Sequence, residues 1–231
     1  MTQELSAVLA VVPMASSAMD YYSAILDQNV LGKKTDSTRR ESLRRLRELY
    51  GLDESTPIFK VMRMLHAIDS ASLQLLAIQV AWARDPLFRA TTQPVIEASS
   101  GSPVKTIALF HALKEAFPNR YSDQSLNQTA RHAASSWTQS GHLSGRTKKT
   151  RQRVRQTAVA ATMALFLGRI AGYHGSAVFS SPWCRLLDLD ADRARTIGIE
   201  AHRAGLLNLK AIGEVVELSF PLFAELQDIP S

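Results

Sequence analysis

The sequence predicts a mainly α-helical protein, a helical bundle with winged-helix-like units and short β-hairpins. Three observations predict this class. Apolar residues recur at helical spacing through the first half, and glycines and prolines separate the periodic segments. Hydrophobic residues make up 45% of the 231 residues, enough for one large domain or two small ones with buried cores. Strand-forming residues gather near the C-terminus, around Val215 and Val216.

The clearest helix of the first half lies in the segment STRRESLRRLRELYG. Thr38 and Glu41 have the spacing of a capping box, and Gly51 follows where a left-handed C-terminal cap belongs. A helix is therefore predicted from about residue 39 to residue 50, with one apolar face and a basic flank. Further helices are predicted over residues 16–26, 56–68, 70–82 and 86–97.

Small and polar residues separate the two halves of the chain. The segment ASSGSPV, residues 98–104, contains Gly101 and Pro103, which both interrupt regular structure. The predicted division is an N-terminal helical domain, residues 1–100, which carries the basic Arg/Leu helix. Residues 101–231 form a winged-helix-like and helical domain that ends in a β-hairpin.

Beyond this boundary the order of elements is that of a winged helix. A helix over residues 104–117 precedes a longer helix that Ser122 caps and Gly141 ends. The basic run LSGRTKKTRQRVR follows as the predicted wing, with Gly145 as its turn. The polar face of the longer helix carries residue types that read base edges, although polar residues are expected on any exposed face: Asn127, Gln128, Arg131, His132 and Ser135.

A second unit with the same order of elements follows. Helices are predicted over residues 157–171 and 180–187, and Asp190 can cap another helix that Gly205 ends. Two short strands around a turn at residues 211–213 complete the unit. Helix, glycine and hairpin thus occur twice, although the two copies share no alignable residues.

Motifs of common enzyme classes are absent from the sequence. There is no P-loop and no G-x-S-x-G motif, the six histidines include no HExxH, and Cys184 is the single cysteine. Asp188, Asp190 and Asp192 alternate like the first ligands of a calcium loop, but the Gly and Glu that complete such a loop are missing. Helix capping and the helix dipole explain these acids better. No catalytic residue, metal or cofactor is predicted.

Basic residues are concentrated in two clusters. The chain has 27 Lys and Arg against 21 Asp and Glu, with a formal net charge of +6 and an isoelectric point near 9.7. The N-terminal cluster comprises Lys33, Lys34, Arg39, Arg40, Arg44, Arg45 and Arg47. The wing cluster comprises Arg146, Lys148, Lys149, Arg151, Arg153 and Arg155. Clustered cations neutralise phosphates, so both clusters are predicted to contact nucleic acid. The predicted contacts are all residues of the two clusters except Arg45, and in addition Arg131 on the longer helix. Each cluster on its own is equally compatible with a solvated face or with an acidic protein partner.

The sequence predicts neither a membrane span nor a secretory signal. The N-terminal apolar run opens with Glu4 rather than basic residues, and Pro13 interrupts it. The uncharged runs at residues 70–83 and 156–168 are shorter than the roughly 20 residues that cross a bilayer. We expect a cytoplasmic protein with no membrane partner.

The segment NVLGKKTDSTRRESLRRLRELYG resembles the BrxA family of BREX phage-exclusion systems. A Thr/Ser–Arg motif and the Arg/Leu helix after it carry the resemblance, at Lys34, Thr35, Ser37, Thr38, Arg39, Arg40, Leu43, Arg44, Leu46 and Leu49. The stretch SSWTQSGHLSG and the later hydrophobic hairpin are also similar. The resemblance implies a small, mostly helical, non-enzymatic protein that binds double-stranded DNA beside a methyltransferase and ATPases from other genes.

The resulting hypothesis is a non-enzymatic component of a bacterial anti-phage defence system that binds double-stranded DNA. It docks on phosphates through both clusters, with low sequence specificity, and other proteins of the defence system are candidate partners. The alternative is an assembly or scaffold factor that binds an acidic protein. An enzyme would require His132, His142 or His202 to converge with carboxylates in a cleft.

Overall fold

A computed structural model of the chain describes residues 1–212 and 215–226. The described chain is mainly helical and contains two antiparallel sheets of two strands each, which confirms a mainly α fold with short β-hairpins. It divides into two compact units, Met1–Arg89 and Ala90–Ser231.

Five helices build most of the first unit: α1 (Thr2–Val11), α2 (Ala18–Leu26), α3 (Asp36–Tyr50), α4 (Pro57–Ile68) and α5 (Leu73–Arg84). α5 is central to this unit because it is buried along most of its length, and α1, α3 and α4 pack against it. Helix α1 is not among the predicted helices, and it begins after Met1 without a capping side chain.

Helix α3 begins one turn earlier than predicted. The cap is Thr35, whose hydroxyl oxygen accepts a hydrogen bond from the Thr38 backbone N–H at 3.3 Å. Thr38, predicted as the cap, is instead the third helical residue, and its hydroxyl oxygen accepts a hydrogen bond from the Thr35 backbone N–H. The predicted end is confirmed, since Gly51 caps the helix at φ +98°.

The second unit continues with α6 (Pro86–Ala90), which spans the division, and then α7 (Gln93–Ile96), α8 (Thr106–Ala116) and α9 (Asp123–Gln139). A hairpin of β1 (Leu143–Ser144) and β2 (Thr150–Arg151) leads to α10 (Ala158–Ile170), α11 (Pro182–Leu186) and α12 (Ala191–Arg203). The strands β3 (Asn208–Ile212) and β4 (Val215–Ser219) form the last hairpin, paired from Asn208 with Ser219 to Ile212 with Val215. Gly213, in the predicted turn, lies outside the described residues.

The division falls before residue 90, not at residue 100 as predicted, because the ASSGSPV segment belongs to the second unit. The backbone N–H groups of Gly101 and Val104 donate to the carbonyls of Arg151 and Lys149, each at 2.9 Å. Upstream, the Trp137 indole N–H on α9 donates to the Thr91 hydroxyl at 2.9 Å. The glycine and proline of this segment therefore mark a turn inside a domain.

The middle of the second unit has the winged-helix order. Pro103 forms a bridge with Thr150, so a short extended segment precedes α8, α9 and the β1–β2 hairpin and pairs with the hairpin's second strand. The later elements α10, α11, α12 and β3–β4 repeat the order of helices and hairpin. α10 is buried from Val159 to Gly168, and Phe166 contacts the rings of Phe220 and Phe223.

Candidate nucleic-acid interface

The wing consists of β1, β2 and the residues 145–149 that join them. Leu143 pairs with Arg151 and Ser144 with Thr150. Gly145 has φ +93°, and a Cβ atom at this position would lie 2.1 Å from the Lys148 carbonyl oxygen. Only glycine fits this turn without displacing backbone, so the role predicted for Gly145 is confirmed. α10 starts at Ala158, well after the basic run, which is therefore a hairpin with an extended continuation.

Most cations of the wing cluster face solvent without an acidic neighbour. Arg146, Lys148, Arg153 and Arg155 are exposed, and none forms an ion pair with a residue in the described ranges 1–212 and 215–226. The Lys149 ammonium donates to the Gly145 carbonyl at 2.8 Å, a bond that leaves its charge uncompensated. These side chains carry positive charge that is available to a partner.

Arg151 does not belong to this exposed set, and its assignment as a phosphate contact is corrected. Its side chain is 2% exposed and forms an ion pair with the Asp188 carboxylate, which is 3% exposed. The Arg151 guanidinium also donates to the Gln152 carbonyl, and the second Asp188 oxygen accepts the Val154 backbone N–H at 3.0 Å. Arg151 thus holds the wing onto the segment before α12 and has no charge to offer to solvent.

His142 precedes the wing and is fully buried beside this ion pair. Its Nε2 atom donates to the Leu186 carbonyl at 2.7 Å, and Nδ1 then accepts from the Ser140 hydroxyl at 2.8 Å. Burial lowers the pKa of His142 to about 4, although the Leu186 carbonyl and Asp188 oppose that shift. With both nitrogens occupied inside the fold, His142 is a packing residue and not a proton donor in a cleft.

Helix α9 packs one face and presents the other to solvent. The Ser122 hydroxyl caps it by accepting the Ser125 backbone N–H, as predicted. The buried face consists mainly of small residues, which allows close packing against α8: Leu126, Ala130, Ala133, Ala134 and Trp137. The exposed face carries polar side chains and a cation: Gln124, Asn127, Gln128, Arg131, His132 and Ser135.

No acidic residue occurs in the sequence between Asp123 and Asp188. The Asp123 carboxylate forms an ion pair with the Lys114 ammonium at 3.0 Å, and the Asp188 carboxylate forms an ion pair with Arg151. The exposed face of α9 and the wing that follows it therefore form a stretch of chain with cations and no competing carboxylates.

The N-terminal cluster has a different electrostatic character, because its arginines are paired within α3. The Arg44 guanidinium contacts Glu41 at 2.8 Å and Glu48 at 2.6 Å, and Arg45 contacts Glu41 at 2.6 Å. Arg40 contacts Asp36 at 2.7 Å. Hydrogen bonds from Arg44 and Arg45 lower the pKa of Glu41 to about 2, so it stays charged at neutral pH. The cluster is largely a self-neutralised helix face.

The remaining members of this cluster also have local partners. The Lys33 ammonium pairs with Glu4 at 2.5 Å, and Arg39 donates to the Leu26 carbonyl at 2.5 Å. The guanidinium of Arg47 lies 5.0 Å from the centre of the Tyr22 ring. Lys34 is exposed. The structure brings these predicted residues together on and beside α3, but acids or the fold occupy most of them.

A concave pocket of about 420 Å³ opens at the C-terminal end of α3, lined by Tyr22, Arg44, Arg47, Glu48, Gly51, Asp53, Thr56 and Arg84. Arg84 donates to the carbonyls of Arg47 and Glu48, each at 3.3 Å, and so caps the helix end. The lining holds three arginines and two carboxylates, and Arg44 pairs with Glu48 across it, so the charges of the pocket are largely matched within the fold.

The second helix and hairpin unit lacks the charge bias of the first. α12 carries Asp192 and Glu200 on its exposed face besides Arg193 and Arg203. On the last hairpin, Lys210 lies opposite Glu217. Asp190 caps α12 through the Arg193 backbone N–H at 2.8 Å, as predicted. The repeated order of elements therefore does not repeat the cationic surface.

Comparison with protein-family models, with curated proteins and with solved structures yields no match to this chain. Within residues 1–212 and 215–226, no group of three or more His, Cys, Asp or Glu side chains is arranged to hold a metal ion. In the same part of the chain, no helix is long and apolar enough to cross a membrane.

Proposed function

We propose that the protein is a non-enzymatic, double-stranded-DNA-binding protein whose main contact surface is the wing with the exposed face of α9. The observation that carries this proposal is the uncompensated positive charge of Arg146, Lys148, Arg153 and Arg155 on a hairpin beside a helix that has one polar face. Exposed, unpaired cations release counterions from DNA when they bind phosphates, and this release supplies most of the sequence-independent affinity.

The N-terminal cluster has a smaller part in this proposal than the sequence suggested. Its exposed arginines already bond Asp36, Glu41 and Glu48, so a phosphate would have to displace or share those partners. The carboxylates would also repel the DNA backbone at short range. We assign the direct phosphate contacts to the wing, a position facing the DNA to Arg131 on α9, and only a supporting role to α3.

The biological setting is part of the same proposal. The resemblance of residues 29–51 to the BrxA family supports a component of a bacterial anti-phage defence system that acts in the cytoplasm beside other proteins of that system. Such a component would bring DNA to partners that carry out the chemistry.

Fluorescence anisotropy with a labelled DNA duplex tests the proposal. With about five phosphate contacts from the wing, we expect log Kd to change with log salt with a slope of about 4.5. If no binding to the duplex is detected at about 50 mM salt, the DNA-binding function is wrong, since electrostatic binding is strong under those conditions.

A second candidate function is binding of an acidic protein, because the exposed cations of the wing can pair with carboxylates as well as with phosphates. On α3, Arg40 is 75% exposed but already pairs with Asp36. A competition experiment separates the two functions. Polyglutamate and an unlabelled DNA duplex with an equal number of charges are each used to displace the labelled duplex from the protein. We expect the duplex to compete far better, because DNA presents phosphates at a spacing that polyglutamate does not reproduce. Equal competition would favour the acidic partner.

A further inference from the structure

The exposed face of α9 carries a row of side chains suited to base edges. Gln124, Gln128 and Arg131 are spaced i, i+4 and i+7, so they lie along one stripe of the helix. All three are exposed, and none has a hydrogen bond to a residue of the described chain. Their donors and acceptors can therefore bind a ligand without breaking an internal contact.

Two neighbouring polar residues on α9 already have hydrogen-bond partners. The Asn127 side-chain amide donates to the Asp123 carbonyl at 2.8 Å, and Ser135 accepts from the Gln139 amide at 3.2 Å. These bonds hold both side chains against the helix. The stripe of Gln124, Gln128 and Arg131 is thus distinct from the general polarity of an exposed helix face.

The residue types in the stripe match the chemistry of the DNA major groove. A glutamine amide pairs with the N6 and N7 atoms of adenine through two hydrogen bonds, and an arginine guanidinium pairs with the O6 and N7 atoms of guanine. From Gln124 to Arg131 the helix rises about 10 Å, which corresponds to roughly three base pairs of a duplex. The stripe therefore fits a short run of purine edges.

The support of α9 is rigid enough for such readout. Trp137 is fully buried at its C-terminal end and is bonded to Thr91, while the Ser122 hydroxyl fixes the N-terminal end. β1 packs against α9, so the wing and the stripe belong to one body. Because packing already orders the backbone of α9, contacts between its side chains and the bases cost little additional backbone entropy.

From these observations we infer that α9 is a base-reading helix, and that Gln124, Gln128 and Arg131 give the protein a preference for a short site with adenine and guanine at fixed positions of the major groove. This inference rests on the proposed DNA-binding function and differs from the low specificity expected from the sequence alone. The wing supplies the phosphate contacts and the stripe supplies the discrimination between sequences.

Selection from a random duplex library, followed by anisotropy on the enriched and a scrambled duplex, tests the inference. We expect an enriched site with a guanine at one fixed position, and Arg131→Lys should lower the ratio of the two affinities about tenfold. This substitution keeps the charge and removes the two-pronged geometry, so a mere phosphate contact at residue 131 would leave the ratio unchanged. Gln128→Ala should lower the ratio by a similar factor. Lys148→Gln is the matched control, because it should weaken both duplexes equally.

The outcomes separate this inference from the proposed function. If random duplexes bind but no sequence is enriched, or if both α9 variants leave the ratio unchanged, the base-reading role is wrong and DNA binding stands. If no duplex binds at low salt, DNA binding and base reading both fail. A duplex RNA of the selected sequence provides a further check, since its deep and narrow major groove excludes a helix and the preference should vanish.

Discussion

The guanidinium of Arg151 and the carboxylate of Asp188 form a buried ion pair that joins the second strand of the wing to the segment before α12. Asp188 adopts φ +58° and also accepts the Val154 backbone N–H, so one carboxylate fixes both the strand and its continuation. Arg151, which the sequence assigned to DNA, thus has a structural role and positions the exposed cations on either side of it.

Removal of the Asp188 charge should destabilise the protein strongly. Asp188→Asn tolerates the positive φ but leaves the Arg151 charge buried without a partner, and we expect a loss of about 3 to 5 kcal/mol in the free energy of unfolding. Urea denaturation followed by circular dichroism measures this loss. The control is Asp192→Asn on the exposed face of α12, which should cost less than about 1 kcal/mol. Equal losses for the two variants would show that the ion pair does not hold the wing.

The turn of the wing depends on the absence of a side chain at Gly145. Gly145→Ala would place a Cβ atom 2.1 Å from the Lys148 carbonyl oxygen, so the loop that carries Arg146 and Lys148 must change shape. Gly172→Ala is a close control, because Gly172 has a similar φ of +89° and its Cβ would meet no atom within 4 Å. We expect about 1 kcal/mol of destabilisation for the control and clearly more for Gly145→Ala.

Only Gly145→Ala should also weaken DNA binding, measured by anisotropy at fixed salt. Retention of full affinity by this variant would mean that the shape of the wing is irrelevant to the DNA contact.

Stability should fall in mild acid because of His142. Its pKa is lowered to about 4 in the folded state, from an ordinary value of 6.5, so the unfolded chain binds a proton first as the pH falls. The stabilisation is complete above pH 6.5 and is lost progressively between pH 6.5 and about 4, to a total of about 3 kcal/mol.

Urea denaturation at a series of pH values, compared between the wild type and His142→Gln, isolates this contribution from that of the carboxylates. The variant should be less stable at neutral pH and should show a smaller loss between pH 6.5 and about 5. Parallel curves for the two proteins would contradict the burial of a neutral histidine.

The position of the division between the units can be tested with two fragments. A fragment that begins at Ala90 keeps Thr91, which bonds Trp137, and Val95, which is fully buried. A fragment that begins at Gly101 loses both. We expect the longer fragment to unfold cooperatively with a clearly higher midpoint in urea and to bind DNA. Equal midpoints would support the division that the sequence suggested.

Local signals in the sequence predicted much of this fold. Ser122 and Asp190 cap the helices that they precede, and Gly51, Gly141 and Gly205 adopt positive φ where helices end. A hydroxyl or carboxylate before a helix, and a glycine after it, act on their own few residues and can be recognised without the rest of the chain. The predicted start of α3 is wrong because Thr35 and Thr38 both suit the cap position.

The candidate nucleic-acid surface is harder to predict from the sequence, because charge pairing depends on the folded chain. Arg151 and Asp188 are far apart in the sequence, and no local pattern distinguishes Arg151 from Arg153 or Arg155. By contrast, the pairing of Arg44 with Glu41 and Glu48 follows from their i,i+3 and i,i+4 spacing along the helix. That spacing by itself argues against a large share of the phosphate contacts for the N-terminal cluster.

We propose that the wing, rather than α3, carries the DNA contact, and the salt dependence of affinity distinguishes these two surfaces. Two triple variants remove the same net charge: Arg146→Gln, Lys148→Gln and Arg153→Gln on the wing, and Arg40→Gln, Arg44→Gln and Arg45→Gln on α3. The slope of log Kd against log salt counts the phosphates that are neutralised, so the wing variant should lose about 2 to 3 from the slope and the α3 variant less than about 1. A decrease of about 2 to 3 in the slope of the α3 variant, with an unchanged slope in the wing variant, would mean that α3 and not the wing binds the phosphates.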